Sequence, residues 1–300
     1  MRIRARVSAT VRAAVAMRGS QNFLGAAWVA ALVDHTPAGR RRGVALWLLA
    51  LSPHYFYGPD RYQEAARNRA TRERLAAELV GAHLADGDTV LDYGCGPGYL
   101  AVAAAARTRG DVWAVDISAG VLACARILNS APNLRYQTPA EFAHSGATVD
   151  VAYSVAVAQH LTDAVLRGVL RELFAALRPG GVLVLHVVVD APGWHDEREW
   201  RRAAASSVRG WLRMRYGLNC FSRSPAQVTG LLAEAGFAEV TIRPVRELCD
   251  VDDDVAGQHV VVGRRPERTV REQGVAQRRG LDPGGDVRSR RESQPSSSSK

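Results

Sequence analysis

Cysteine and lysine are both scarce in this 300-residue chain. Its four cysteines, Cys95, Cys124, Cys220 and Cys249, form no Cys-x-x-Cys pair, which excludes a zinc ribbon and argues against a disulfide framework. We therefore expect no metal site, and a reducing, cytoplasmic compartment. Lys300 is the one lysine among 39 basic residues, and we interpret this arginine excess as a coding bias.

Long apolar runs are also missing. The longest, Phe23–Val33 and Val44–Leu51, fall well short of the ~20 residues of a membrane-spanning helix, so we expect no such helix. The first 33 residues hold five arginines and no acidic residue, but lack the pattern of a signal peptide. We expect residues 1–57 to form a basic helical extension that caps the core, with peripheral membrane contact as the alternative.

The positive charge of the chain is concentrated at its two ends. The formal net charge is +9, yet residues 61–263 carry 21 arginines against 23 acidic residues. A nucleic-acid groove would gather arginines on the folded core, so we expect no nucleic-acid partner. Residues 264–300 contain few aliphatic side chains and end in a serine run, which predicts a disordered basic tail.

Between these ends, short apolar strands alternate with helical segments. The predicted strands are Thr89–Asp92, Val112–Val115, Leu134–Gln137, Val149–Ser154, Val182–Val189, Glu239–Arg243 and His259–Val262. Such alternation predicts an α/β fold, a doubly wound and mostly parallel seven-stranded sheet over residues 58–263. Within it, residues 190–224 carry Trp200, Val208 and Trp211 at helical spacing, which predicts an amphipathic lid.

A glycine-rich loop follows the first predicted strand. Asp92 is followed by Gly94, Gly96 and Gly98, which differs from the Gly-x-Gly-x-x-Gly spacing of dinucleotide-binding loops. An acid just before the loop would oppose a pyrophosphate but attract an ammonium group. Asp116 ends the next strand. In nucleotide-binding folds, an acidic residue at this position accepts hydrogen bonds from the ribose hydroxyls. The pattern favours an aminoacyl nucleoside such as S-adenosylmethionine over a nicotinamide dinucleotide.

These motifs resemble those of class I S-adenosylmethionine-dependent methyltransferases. Val90–Leu100 is similar to the first motif of that family, and Val115–Ser118 is similar to the second. Further family motifs follow in order at Pro139–Phe142, Val149–Ser154, Leu177–Gly181 and Ala235–Phe237. The resemblance covers roughly residues 60–263 and implies a Rossmann-like methyltransferase fold with S-adenosylmethionine as cofactor.

The resemblance also implies a set of cofactor-binding residues. The loop Gly94–Gly98 would surround the methionyl group, Asp116 would bind the ribose, and Ile117 would border the adenine. The full predicted set is Asp92, Gly94, Cys95, Gly96, Gly98, Asp116, Ile117, Ala140, Glu141 and Ser154. Pro139 stands where many family members carry an adenine-binding aspartate, so backbone or neighbouring groups would hold the adenine edge.

Methyl transfer from a sulfonium is an in-line displacement, for which alignment and exclusion of water matter most. A general base helps only where the acceptor must lose a proton. His160, after the fourth strand, is the catalytic candidate, and its alternative role is a structural histidine at the edge of the core. The aspartates around Asp252 are interpreted as a solvated turn rather than a metal site.

The class of methyl acceptor is inferred mainly from motifs that the sequence lacks. Tyr153–Ala156 lacks the Asn/Asp-Pro-Pro-aromatic segment of nucleic-acid amino-methyltransferases, and the paired-glutamate loop of protein arginine methyltransferases is not found. We therefore expect a small-molecule or lipid acceptor. The alternatives are a non-catalytic S-adenosylmethionine-binding module and a nicotinamide-dependent dehydrogenase. The sequence leaves the oligomeric state open.

Overall fold

The computed structural model describes residues 27–51, 61–208, 220–249 and 257–267. Seven strands in these ranges form one sheet. They are β1 Val90–Tyr93, β2 Val112–Val115, β3 Leu134–Gln137, β4 Val149–Ser154, β5 Leu177–Val188, β6 Ala238–Pro244 and β7 Gln258–Arg264.

The described helices flank this sheet and precede it. They are α1 Ala27–His35, α2 Ala38–Ala50, α3 Arg61–Leu75, α4 Tyr99–Ala105, α5 Ala119–Leu128, α6 Pro139–Ser145, α7 Asp163–Ala176, α8 Glu197–Ala205 and α9 Pro225–Ala235. A π-helical turn, Ala76–Val80, and a 3-10 turn, Gly81–His83, continue α3 toward β1. No helix in the described ranges combines the length and apolar character that crossing a membrane requires.

The strand order is β3-β2-β1-β4-β5-β7-β6. Only β7 runs antiparallel to its neighbours β5 and β6, while β1 to β5 are parallel. This confirms the predicted doubly wound and mostly parallel fold. The order reverses between β1 and β4, and ligands of such sheets bind in the crevice outside the carboxyl ends of the strands at that point.

Local signals explain most of the element boundaries. Thr138 and Glu141 form a capping box that begins α6, and Ser224 and Gln227 do the same for α9. β5 begins at Leu177 rather than at the predicted Val182. The ladder extends that far because the backbones of Gly180 and Gly181 bond to Arg265 beyond β7.

Apolar side chains cover both faces of the sheet. One cluster joins β4 and β5 to α7 and α9, and another joins β1 and β2 to the end of α3 and to α4. The helices α1 and α2 pack their buried residues Val29, Val33, Leu46 and Leu49 against α5. The sheet is therefore closed on both faces, and its carboxyl edge is left to bind ligands.

The predicted end segments are described only in part. The extension predicted over 1–57 is helical at α1 and α2, and its residues 1–26 and 52–57 lie outside the described residues. The tail predicted from 264 onward lies outside them after residue 267, while β7 itself ends at Arg264. In the predicted lid, α8 is helical, and residues 209–219, with Trp211, fall outside the description.

Candidate functional site

The glycine loop leaves β1 at the point where the strand order reverses. Gly94, Gly96 and Gly98 have φ angles of 83°, 52° and 81°, values that favour glycine. The N–H groups of Gly94 and Cys95 both donate to the Val115 carbonyl, at 2.7 Å and 3.0 Å. These bonds fix the loop to the end of β2.

Close contacts leave no space for side chains at two of these glycines. A Cβ on Gly94 would lie 2.3 Å from Cγ2 of Val157, and one on Gly98 would lie 2.1 Å from the Tyr136 hydroxyl. Val157 belongs to the segment after β4, so the loop and that segment are in direct contact. The segments that follow β1 and β4 therefore meet at Gly94.

Asp116 follows β2 and faces the loop. Its carboxylate accepts hydrogen bonds from the N–H of Gly96 at 3.0 Å and from the N–H of Ser118 at 2.9 Å. Burial raises the pKa of Asp116, and these two hydrogen bonds act in the opposite direction. A carboxylate has about four lone-pair positions, so two remain for further donors such as a ribose diol.

Asp92 is the buried acid of the site, with 2% of its surface exposed. Burial raises the pKa of Asp92 to about 8, against smaller lowering effects of the Tyr153 hydroxyl and the charge of Arg72. Tyr153 is its register partner on β4. Neither Oδ2 of Asp92 nor the Tyr153 hydroxyl reaches hydrogen-bonding geometry with a partner.

Unpaired buried polar atoms gather at this edge of the sheet. Among the described residues, these atoms belong to Asp92, Asn129, Gln137, Tyr153 and Gln159. Four of the five lie in β1, β3, β4 or the turn after β4, and Asn129 donates to the Pro97 carbonyl in the glycine loop. An unpaired buried polar group costs about 1–3 kcal/mol, so this edge is prepared for a polar ligand.

The remaining predicted cofactor residues surround the same edge in different ways. Ile117 is exposed beside Asp116, whereas Ser154 is buried at the end of β4. Cys95 is buried, and burial raises the pKa of its thiol well above the ordinary range. Ala140 and Glu141 lie exposed at the start of α6, where the Glu141 carboxylate bonds to Thr138 as part of the capping box. Glu141 thus has a structural role here.

The catalytic candidate His160 ends a short 3-10 turn after β4. Its Nδ1 lies 3.6 Å from the Cys220 thiol. His186, on β5, is buried, and burial lowers its pKa to about 4. Its Nδ1 accepts from the Ala156 N–H, so the neutral ring donates from Nε2 to Gln258 at 2.7 Å. His186 therefore connects the segment after β4 to β5 and β7.

Arg223 joins the segment before α9 to the segment after β4, and sequence reasoning missed it. Only 4% of its surface is exposed. Its guanidinium donates to Asp163 Oδ1 at 2.9 Å, to the Ala158 carbonyl at 3.0 Å and to the Leu161 carbonyl. The neighbouring Phe221 N–H donates to the Gln159 carbonyl at 2.7 Å. No sequence motif marks Arg223, because its partners lie about 60 residues away.

The described residues contain no group of three or more potential metal ligands. The aspartates at 250 and 252–254 lie outside the described residues.

Comparisons with known proteins agree with this geometry. A family model described as a methyltransferase domain matches residues 61–242. The ribosomal protein L11 methyltransferase of Cupriavidus metallidurans is 34% identical over 149 residues, which is 46% of this chain and 45% of that protein. The enzyme of the same name from Dechloromonas aromatica is 40% identical over 112 residues, 37% of this chain and 36% of that protein. The chain thus spans less than half the length of these relatives.

Solved structures with a similar fold are more distant. Human N-acetylserotonin methyltransferase in complex with S-adenosylmethionine has 16% identity and a TM-score of 0.45, over 78% of this chain and 61% of that chain. Magnesium protoporphyrin IX methyltransferase of Synechocystis PCC 6803, with bound S-adenosylhomocysteine, has 16% identity and a TM-score of 0.47, over 76% and 94%. Similarity at this level says nothing about individual site residues.

Proposed function

The chain belongs to the methyltransferase family whose domain model covers residues 61–242, and we propose that it transfers a methyl group from S-adenosylmethionine to an acceptor at the carboxyl edge of its sheet. The observation that carries this proposal is the buried Asp92, whose Oδ2 has no hydrogen-bond partner, behind a glycine loop that bonds to Asp116. Two acids and a backbone loop suit the ammonium group and the ribose diol of this phosphate-free cofactor better than a pyrophosphate.

The residues present fit S-adenosylmethionine in three places. Asp92 would hold its ammonium group, which supplies the donor that Oδ2 lacks. Asp116 would accept from the ribose diol, and the exposed Ile117 would cover the adenine. The loop Gly94–Gly98 would follow the methionyl group, because its glycines leave the backbone uncovered there.

When bound, the cofactor supplies a methyl group activated by a positive sulfur. The protein must then align the acceptor and exclude water. The segment after β4 is suited to this alignment because it touches the loop at Gly94 and is held by Arg223 from behind. Trp200 of α8 packs edge-on against Phe221, with 6.3 Å between the ring centroids. This contact connects the predicted lid to the segment after β4, because the Phe221 N–H donates to the Gln159 carbonyl.

His160 is proposed as the residue that takes a proton from the acceptor where one must be lost. It is half-buried at the end of the turn after β4, next to the Cys220 thiol, and an imidazole at this edge of the sheet can accept a proton at neutral pH. His160→Asn should lower the transfer rate by about 100-fold or more and leave S-adenosylmethionine affinity unchanged. A rate equal to that of the unmodified protein would assign His160 a structural role instead.

For the acceptor we propose a small molecule or a lipid. This rests on the absence of the nucleic-acid and arginine-directed motifs and on the near-neutral core. A protein acceptor is the second candidate, because the curated relatives are named for methylation of ribosomal protein L11. The four cysteines are free thiols, which suits the cytoplasmic location that we also propose.

One assay separates these acceptor classes. The purified protein is incubated with methyl-labelled S-adenosylmethionine and a cell extract, and label is counted in lipid, small-molecule and protein fractions. We expect label in the lipid or small-molecule fraction, and less label with the Asp92→Asn variant at cofactor concentrations below saturation. Label confined to protein would reject our acceptor and support the second candidate. No label in any fraction, with intact cofactor binding, would favour a non-catalytic module.

Calorimetry tests the cofactor itself. We expect S-adenosylmethionine to bind and NAD to show no heat of binding. Tighter binding of NAD would overturn the proposed function and revive the dehydrogenase alternative.

A further inference from the structure

The hairpin of α1 and α2 exposes an unusual share of large apolar side chains. Trp28 is 55% exposed, Leu32 42% and Trp47 48%. The other large exposed apolar residues of the described chain are Ile117, Val165 and Val208, which lie on three separate segments. Single exposed apolar residues need no explanation, but two tryptophans and a leucine on one 25-residue hairpin do.

The exposed side of α2 combines this apolar character with positive charge. Arg40, Gly43 and Trp47 follow each other at spacings of three and four residues, so they lie on one face of the helix. The neighbouring Leu46, Leu48 and Leu49 are buried against α5. The helix therefore presents an arginine and a tryptophan together, on the side away from the core.

A depression of about 470 Å³ opens beside this face. Gly39, Arg40, Arg42, Gly43 and Val44 line it. A Cβ on Gly39 or on Gly43 would meet no atom within 4 Å, so the floor is open backbone between two guanidinium groups. A planar guanidinium group can donate two parallel hydrogen bonds to the oxygens of one phosphate. A phosphate group therefore suits this depression.

The hairpin is a rigid platform for these groups. Arg41 donates to the carbonyls of Thr36 and Asp34, at 2.7 Å and 3.0 Å, which closes the turn between the two helices. Arg41 thus has a structural role in the turn, whereas Arg40 and Arg42 line the depression. Burial raises the pKa of Tyr99, the residue directly after Gly98, and the charge of Arg42 acts in the opposite direction, so Arg42 lies near the end of the glycine loop.

We propose that the exposed face of the α1–α2 hairpin binds the surface of an anionic phospholipid membrane. Tryptophan prefers the boundary between headgroups and acyl chains, and arginine is attracted to anionic lipids. Residues 1–33 add five arginines without an acidic residue, which complements such a surface. An RNA partner would account for the arginines but not for three exposed apolar side chains, and a second copy of this chain would bring like charges together.

Flotation of the full-length protein with vesicles tests this directly. We expect binding to vesicles of phosphatidylglycerol and phosphatidylcholine, weaker binding at high salt, and none to phosphatidylcholine alone. Trp28→Gln with Trp47→Gln should lower the partition coefficient about tenfold. Arg40→Gln with Arg42→Gln should lower it by about 30-fold, given about 1 kcal/mol for each arginine.

Val165→Gln serves as the matched control, because Val165 is exposed on α7 and should not alter binding. Melting curves and cofactor binding confirm that each variant is folded. Quenching of tryptophan fluorescence by lipids brominated in their acyl chains should occur in the unmodified protein and disappear in the double tryptophan variant.

Several results would overturn the proposal. These are no binding to anionic vesicles, equal binding by the control and the tryptophan variant, or sedimentation as a dimer that the tryptophan variant abolishes. Tighter binding to RNA than to vesicles, unaffected by the tryptophan variant, would assign the surface to a nucleic acid. None of these readouts depends on methyl transfer, so the membrane proposal and the proposed function fail separately.

Discussion

The two sides of the carboxyl edge are built in different ways. On the cofactor side, backbone N–H groups and two acids lie on β1, β2 and the loops directly after them, and the left-handed angles of Gly94–Gly98 set the shape. On the acceptor side, one buried arginine, Arg223, joins carbonyls and a carboxylate that are about 60 residues away in sequence. A site built from contiguous backbone leaves a motif, whereas a site built from distant side chains leaves none.

The largest loss of cofactor affinity is expected from Gly94→Ala. Its Cβ would lie 2.3 Å from Val157, in a residue whose φ is 83°. Gly87→Ala is the matched control, since Gly87 has φ of 96° and no atom within 4 Å of its Cβ. We expect the Gly94 variant to lose about 1–3 kcal/mol more free energy of unfolding than the control, and to lose measurable cofactor binding. Equal urea midpoints for the two variants would contradict the close contact.

Asp92→Asn should weaken S-adenosylmethionine binding by about 10- to 100-fold. The amide keeps the shape of the side chain but cannot pair as an anion with an ammonium group, and such hydrogen bonds contribute about 1.5–3 kcal/mol. Asp111→Asn is the control, because Asp111 pairs with Arg135 on the surface before β2. Calorimetry should show no loss for that control. Unchanged affinity in the Asp92 variant would remove the basis of the site.

Cofactor affinity should depend on pH through the same carboxyl group. Burial raises the pKa of Asp92 to about 8, so the group is mostly protonated at neutral pH in the cofactor-free protein. Binding an ammonium requires the ionised form of Asp92, so affinity should rise by up to about tenfold per pH unit as the pH approaches 8 and should fall again where the ammonium group of the cofactor loses its proton. Calorimetry from pH 6 to 9 checks this, and the Asp92→Asn variant should lose this dependence.

The stability of the cofactor-free protein should change in the opposite sense. Between about pH 4 and pH 8 the folded protein holds a proton on Asp92 that the unfolded chain has released. The contribution of this group to the free energy of unfolding is therefore fully present below about pH 4 and is lost as the pH rises through 8. Urea unfolding should show that the free energy of unfolding declines more steeply with rising pH in the unmodified protein than in the Asp92→Asn variant.

The smallest effect on cofactor affinity, less than about twofold, is expected from Arg223→Gln, because Arg223 bonds only on the acceptor side. Its removal leaves two carbonyls and Asp163 without their partner, so the free energy of unfolding should fall by about 3 kcal/mol. The methyl-transfer rate should fall as His160 loses its support, and Arg223→Lys should restore part of it. Arg167→Gln, which breaks an exposed pair with Glu234, is the control. A large drop in cofactor affinity would show that the two sides are not separate.

The sequence was most informative where structure is local. The bounds of β2, β3 and β4 agree with the predicted segments, because short apolar runs mark both ends of these strands. It was less informative at β5, where pairing with Val149 and bonds to Arg265 extend the strand. The tertiary structure adds that the Glu141 carboxylate caps α6, while its place beside the cofactor stays a prediction.

The sequence by itself determined the strand alternation, the glycine loop with its two acids, and hence the family and its cofactor. These follow from short-range spacing, which the backbone converts directly into geometry. Only the tertiary structure decided which polar groups are buried without a partner, that Gly94 touches the segment after β4, and that Arg223 bonds to the backbone on both sides of His160. Burial and contact between distant segments depend on how the chain packs, and no local pattern encodes them.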